Sequence, residues 1–335
     1  MRIHAHAPTR IDLAGGTLDI WPLFLFHPGA LTVNVAISRY AHAVVEPRRD
    51  RRIVLLSRDS GRSQTYASLA ALSASRSHRL PLLAELVAWF APKRGLTLTT
   101  WSEAPAGAGL GGSSAMAIAI CAALTRLLGR RMPAADWIPL SRDIEARVLG
   151  VPTGEQDHYP AVFGGLGAVH LEPCRTWREP LPVDLRALEE RLLLVYTGEP
   201  RRSGINNWEV MKKYLDGDRR LRRNFTSIAA TGIHMRDALL RRDWRRFSLL
   251  MRREWETRRR NAPGISTPFI DRLVRTAYRH GAQGAKACGA GGGGCVVFVM
   301  LPEKRARVAS TLASAGATLL PFHIARRGVQ VRKLG

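Results

Sequence analysis

Apolar and polar positions alternate along Leu96-Thr-Leu-Thr-Thr-Trp101, the period of two that sends successive side chains to opposite faces of a strand. Residues 1–14 read as another strand, running into Gly15-Gly16, and 31–46 and 53–58 follow by their β-branched and apolar content. The Ser-, Ala- and Arg-rich stretch 57–79 has no clear period and reads as a loop with one short strand at most. Helical patterns cover 80–90, stopped by Pro92, then 115–128, and 133–149, stopped by Gly150. A hairpin is expected at 165–171 and 178–183, and an apolar strand at 192–196. From 206 to about 260 the pattern is helical; Pro263 and Pro268 break it before a further helix over 269–279. Strand, helix and strand at 295–301, 303–314 and 318–324 close the chain.

A chain of 335 residues is long for one core and comfortable for two, and this order of elements predicts an α+β protein. The boundary is expected between 184 and 185, with the later half of split βαβ type. Composition narrows this further. With 46% hydrophobic and 23% charged residues the chain is globular, not disordered. Its start lacks an apolar core of signal-peptide length, and no stretch approaches the roughly 18 uncharged residues of a membrane span, so a soluble, cytoplasmic protein is expected. Cys121, Cys174, Cys288 and Cys295 share no metal-like spacing and read as reduced. The net charge of +24 comes mostly from 45 arginines against six lysines. The clusters at Arg219–Arg223, Arg241–Arg246 and Arg258–Arg260 read as solvated helix faces, and without a recognition module the charge predicts attraction of anionic small molecules rather than a nucleic-acid tract. Monomer and homodimer remain equally open.

The chemistry gathers on Glu103-Ala-Pro-Ala-Gly-Ala-Gly-Leu-Gly-Gly-Ser-Ser-Ala115, a Gly-rich loop between a strand and a helix. Gly107, Gly109, Gly111 and Gly112 let a ligand reach the backbone, and Ser113 and Ser114 sit where a helix leaves its first amides unpaired, a place suited to phosphate. The spacing also fits a dinucleotide fingerprint, but no acid follows a second strand at roughly 20 residues, and no Lys follows the glycines as a Walker A loop requires. A plain turn with capping serines is the bland alternative. A second centre is Val151-Pro-Thr-Gly-Glu-Gln-Asp157-His, where Thr153-Gly154 can open a helix with Asp157 in its first turn and Gly164-Gly165 can end it. An acid there is explained equally by the helix dipole. Arg10 and Asp19 flank the turn Gly15-Gly16-Thr17 and together could meet a sugar's hydroxyls, or form an ordinary surface pair.

Three motifs in order now carry a resemblance. Pro8-Thr-Arg-Ile-Asp-Leu-Ala-Gly-Gly-Thr-Leu-Asp19, the loop Pro105-Ala-Gly-Ala-Gly-Leu-Gly-Gly-Ser-Ser-Ala115 and Lys286-Ala-Cys-Gly-Ala-Gly-Gly-Gly-Gly-Cys295 resemble those of the GHMP kinases, named for galactose, homoserine, mevalonate and phosphomevalonate. Tyr196-Thr-Gly-x-x-Arg201-x-Ser203, Ile265-Ser-x-Pro268-x-Ile-Asp271 and Gly281-Ala-x-Gly-Ala-Lys286 are similar to the branch of heptose 7-phosphate kinases and fucokinases. The resemblance implies a ribosomal-protein-S5-like domain followed by a ferredoxin-like one. It implies transfer of the γ-phosphoryl group of ATP, with Mg2+, to a sugar or sugar-phosphate hydroxyl, the anomeric one in this branch. Galactokinase- or mevalonate-kinase-like activity and a regulator without catalysis are the alternatives.

By the same resemblance Pro105, Gly107, Ala108, Gly109, Leu110, Gly111, Gly112, Ser113 and Ser114 hold ATP, and Asp157 and Arg10 are catalytic. Ser113 with Glu145 holds the metal, Ser114 being the substitute if Gly112 shifts the register. Arg10, Gly16, Thr17, Asp19, Asp157, Arg201, Ser203 and Gly291 meet the acceptor. Departures are Leu18, where sugar kinases carry a hydroxyl residue, Glu155, where the heptose-phosphate enzymes carry Lys, and Pro160 inside the expected helix. His158 replaces the usual Gln and reads as a satisfied structural residue.

Overall fold

The computed structural model describes residues 2–200 and 207–335. Its larger sheet is built on β1 (Arg2–Ala14) and β2 (Leu31–Pro47), antiparallel with Arg10 opposite Ala36. The hairpin of β3 (Ile53–Ser57) and β4 (Arg62–Tyr66) follows, then α1 (Leu69–Ala74) and α2 (Pro81–Phe90). The stretch expected as loop thus holds a strand and also a helix, α1, which Ser68 starts by accepting a hydrogen bond from Ala71 N. Strand β5 (Leu96–Ser102) enters between β2, antiparallel, and β3, parallel. Two helices come next, α3 (Gly112–Leu127) and α4 (Trp137–Leu149), then the short α5 (His158–Phe163). The hairpin β6 (Leu166–Glu172) and β7 (Arg175–Pro180) joins the sheet through β6 on β2.

Every residue of α3 from Ser114 to Thr125 is buried. Its alanines explain how: small side chains let the sheet and neighbouring helices close on all sides of one helix. The helix whose first turn carries Gly112, Ser113 and Ser114 of the Gly-rich loop is therefore enclosed by the rest of the first half.

The later half begins with α6 (Leu185–Glu189) and β8 (Leu192–Tyr196), followed by α7 (Asn207–Leu215), α8 (Arg219–Leu240), α9 (Trp244–Arg258) and α10 (Pro268–Arg279). Asp218, Asp243 and Thr267 cap α8, α9 and α10 with their side chains. Then come β9 (Ala282–Ala287), β10 (Cys295–Met300), α11 (Arg305–Ser314), β11 (Thr318–Leu319) and β12 (Gln330–Leu334). The smaller sheet is antiparallel in the order β11-β8-β10-β9, the split βαβ arrangement, so the α+β two-domain fold class holds.

Three local readings change. β9 carries no alternation to read, because both of its faces are covered and its Gly284 leaves no room for a Cβ against Ser248 O and Met251. β11 spans only two residues; Leu320 N still donates to Leu194 O at 2.9 Å, and Pro321 after it has no amide to donate. β12 was not foreseen; it pairs with β1 in the larger sheet, so that sheet takes an edge strand from beyond the expected boundary at 184/185. A hydrophobic cluster including Ile11, Val33, Leu110, Met235, Phe247 and Val297 joins the halves. No described helix is long and apolar enough to cross a membrane.

Candidate active site

The phosphate-loop residues, Ala104 to Ser114 without exception, line a cavity of about 680 Å³ together with Arg10, Glu145, Asp157 and Gly289. Gly111 begins α3 in the left-handed conformation with φ 69, no side chain caps the helix, and no acid occupies its first turn. The first backbone bond runs from Ala115 N to Gly111 O, so the amides of Gly112, Ser113 and Ser114 have no partner within the helix. Opposite them the third Gly-rich motif comes into direct backbone contact. A Cβ on Gly109 would collide with Cys288 O, and one on Gly289 would lie 2.9 Å from Gly109 O. Only glycines allow this approach, which joins motifs 180 residues apart in sequence into one wall.

Arg10 lies under the loop, on β1. Its Nε and Nη2 donate to Oδ1 and Oδ2 of Asp157 at 2.8 and 2.7 Å, and Nη1 donates to Gly109 O at 2.6 Å. Burial disfavours the charge of Arg10, but Asp157 and Asp12 outweigh it and raise its pKa. Asp157 is the N-cap of α5 rather than a residue of its first turn, and α5 is only six residues long, in keeping with Pro160. Its side chain retains 23% exposure against 4% for Arg10, so the carboxylate is the member of the pair open to the cavity.

Ser114 donates to Glu145 Oε2 at 3.0 Å, whereas Ser113 is exposed; the hydroxyl brought to the carboxylate is that of Ser114. The extra Gly112 sits inside the helix as its first residue, so that Ser114 rather than Ser113 is the serine turned toward Glu145. His158 is fully buried with Nε2 3.6 Å from Glu145 Oε2, and neither ring nitrogen has a hydrogen bond, so it is not the satisfied residue expected. One hydroxyl and one carboxylate fit a magnesium ion that keeps several waters. Among the described residues no group of three or more His, Cys, Asp or Glu is placed to hold a metal ion.

Asp19 does not pair with Arg10. It accepts from Gln156 N at 3.0 Å and from Gln156 Nε2 at 3.2 Å, behind Gly154, whose missing Cβ leaves the space it fills. It lines a second cavity, of about 440 Å³, with Trp21, Arg142 and Glu155. Glu155, the reversed charge, is itself bound to Arg142 at 2.8 Å and to Thr176, so its charge is balanced internally. Gly291 packs closely on Ile265 O, and Leu18 is core. Arg201 and Ser203 lie outside the described residues.

Burial pushes the Asp19 carboxyl up to about 7, with the Gln156 amide opposing and Asp157 and Glu155 adding. An acid whose folded pKa exceeds its unfolded value of 3.8 stabilises the fold fully below that value, and the contribution is lost as pH rises to about 7. Asp19→Asn is expected to remove a slope of up to about 1.4 kcal/mol per pH unit between pH 4 and 7. Urea unfolding of both proteins across that range measures it, and equal slopes would rule the account out.

Sequence reasoning missed Asp12, Glu254, Arg258 and Lys286. All four are at least 95% buried around the turn Gly15-Gly16-Thr17. A signal was available: Glu254 and Arg258 fall at helical spacing with Phe247 and Met251, on the apolar stripe of α9 rather than its solvated face. The other arginines of these clusters are exposed, as expected.

Comparison with known proteins places the chain in a family. The family model described as GHMP kinases N terminal domain matches residues 77–165, and that described as GHMP kinases C terminal matches 235–318. A D-glycero-alpha-D-manno-heptose 7-phosphate kinase of Campylobacter jejuni is 28% identical over 98% of each chain. A mevalonate kinase of Thermococcus gammatolerans is 32% identical over 72% of this chain and 70% of its own. The crystal structure of a D-glycero-D-manno-heptose 1-phosphate kinase from Bacteroides thetaiotaomicron superposes with a TM-score of 0.79 over 99% of both chains at 24% identity. With two family models in order and a relative above 30% identity, the chain belongs to the GHMP kinase family.

Proposed function

We propose that this protein transfers the γ-phosphoryl group of ATP to a hydroxyl of a sugar or sugar phosphate, the anomeric hydroxyl of a heptose 7-phosphate or a fucose-like sugar being the first candidates. The observation that carries the reading is the single cavity in which uncapped helix amides, the Ser114–Glu145 pair and the Arg10–Asp157 pair all meet. The amides of the loop and of the α3 N-terminus would bind the β- and γ-phosphates. Ser114 and Glu145 would hold magnesium, whose part is to offset charge on those phosphates. Asp157 would take or orient the proton of the attacking hydroxyl, and Arg10 would offset charge developing on the transferred group while keeping Asp157 aimed. Gly16, Thr17 and Asp19 remain candidates for the acceptor side. Full-length similarity to a heptose 7-phosphate kinase supports this acceptor class over mevalonate, whose kinase matches a shorter span.

The test is coupled ADP release with magnesium-ATP over free aldoses, their 6- and 7-phosphates, fucose, galactose and mevalonate. Turnover with a sugar or sugar phosphate supports the proposal. Turnover with mevalonate alone would replace the acceptor, and no nucleotide binding at all would sink the kinase reading. A metal role for Ser114 predicts that Ser114→Ala raises the magnesium concentration needed for binding of a fluorescent ATP analogue about tenfold. Ser113→Ala should leave it nearly unchanged; the reverse pattern would return the role to Ser113.

A further inference from the structure

We infer that Arg258 is a positioning residue for the turn Gly15-Gly16-Thr17, holding the acceptor side of the site from the opposite half of the molecule. The kinetic part of this inference rests on the proposed kinase reading; the structural part does not. Thr17 has φ 80, a left-handed conformation that a β-branched residue adopts at a cost of about 1–3 kcal/mol and keeps only where its surroundings over-determine it. Those surroundings come from α9 and β9. Arg258 Nη2 donates to Thr17 Oγ1 at 3.2 Å, and Arg258 Nη1 lies 3.7 Å from Asp12 Oδ2. Gly16 makes room for the guanidinium, since a Cβ there would stand 2.6 Å from Nη1. The same Asp12 accepts from Lys286 Nζ and, at 3.0 Å, from the amide of Gly289 in the phosphate cavity wall.

This arrangement is not the one that stability alone selects. Arg258 Nη1 and both carboxyl oxygens of Glu254, one helical turn earlier, are buried without a well-formed hydrogen bond: Nη1 has its 3.7 Å approach to Asp12, and Glu254 the Gly15 amide and the charges of Lys286 and Arg258. Buried charges are costly even when another charge faces them, and a hydrophobic contact could have joined α9 to the turn. What the guanidinium adds is direction. It fixes Thr17 and Asp12, hence the segment between Arg10 and Asp19, and a shift of about 1 Å in such a segment costs on the order of 10²-fold in rate.

Arg258→Met is therefore expected to lower kcat/KM for D-glycero-D-manno-heptose 7-phosphate about 10²-fold, mainly through acceptor KM, with affinity for the ATP analogue unchanged. Arg258→Lys, which keeps the charge beside Asp12 but not the fork, should recover part of the loss and covers the case in which the Met variant does not fold. Thr17→Gly makes the left-handed turn free of strain, so Arg258→Met should cost much less in that background. Hydrogen exchange needs no acceptor: Arg258→Met or Arg258→Lys should speed exchange in a peptide covering residues 11–20 and leave residues 103–116 as they were. Equal kinetic losses in both backgrounds, or exchange that is unchanged or faster everywhere, would overturn the inference. If the wild-type protein phosphorylates no acceptor, the function proposed above has failed and the exchange measurement alone decides this one.

Discussion

Asp157→Asn is expected to fold, to bind magnesium-ATP as the wild type does, and to lose at least about 10²-fold in turnover. The substitution changes no volume. It replaces one carboxylate oxygen by an amide nitrogen that cannot accept a proton or a hydrogen bond, and it presents N–H groups to the Arg10 fork that held both oxygens. The nucleotide contacts assigned to the loop and α3 are backbone groups, so nucleotide affinity, read by titration of a fluorescent analogue, should stay within a few-fold. Turnover within a few-fold of wild type in the ADP-release assay would show that Asp157 neither takes nor orients the acceptor proton.

Arg10→Met should have the second large effect, on turnover and on stability together. The variant removes the bidentate partner of Asp157, the bond to Gly109 O and one of the cations around Asp12. Removing one partner of a buried pair costs about 3–5 kcal/mol when the other charge is left behind, and the lower end is expected here because water can reach the part-exposed Asp157. Turnover should fall on the order of 10²-fold or more, the scale of a lost electrostatic stabiliser in a closed site. Urea unfolding of Arg10→Met, Asp157→Asn and the double variant separates the effects. If Arg10 acts through Asp157, the double variant is less unstable than the two single losses added together. Strict additivity would mean that the pair seen in the structure does not couple energetically.

The sequence made much of this legible because the information was local. Strand alternation at 96–101 and the proline and glycine stops depend on neighbours a few residues away, so they could be read directly. The phosphate loop was legible for the same reason: four glycines and two serines between a strand and a helix specify open amides without reference to the rest of the chain. Where the covering of an element set its character, reading failed. β9 has too little alternation to announce a strand buried on both faces, and β12 is a strand only because β1 offers an edge. Within the site, Gly112 left two registers open, and only the turn of α3 shows that it is Ser114 whose hydroxyl meets Glu145.

Taken alone, the sequence determined most of the order of elements and the α+β class, and with the family resemblance it singled out the Gly-rich loop, Asp157 and Arg10 as the residues to watch. Tertiary structure decided their partners: Arg10 with Asp157 rather than Asp19, Asp19 with Gln156, and Arg258 with Thr17, pairs separated by 147, 137 and 241 positions. The physical reason is that hydrogen bonds and ion pairs act over about 3–4 Å, whereas sequence patterns report only which face a residue occupies. An arginine on a basic helix looks solvated until the fold places a buried carboxylate against it.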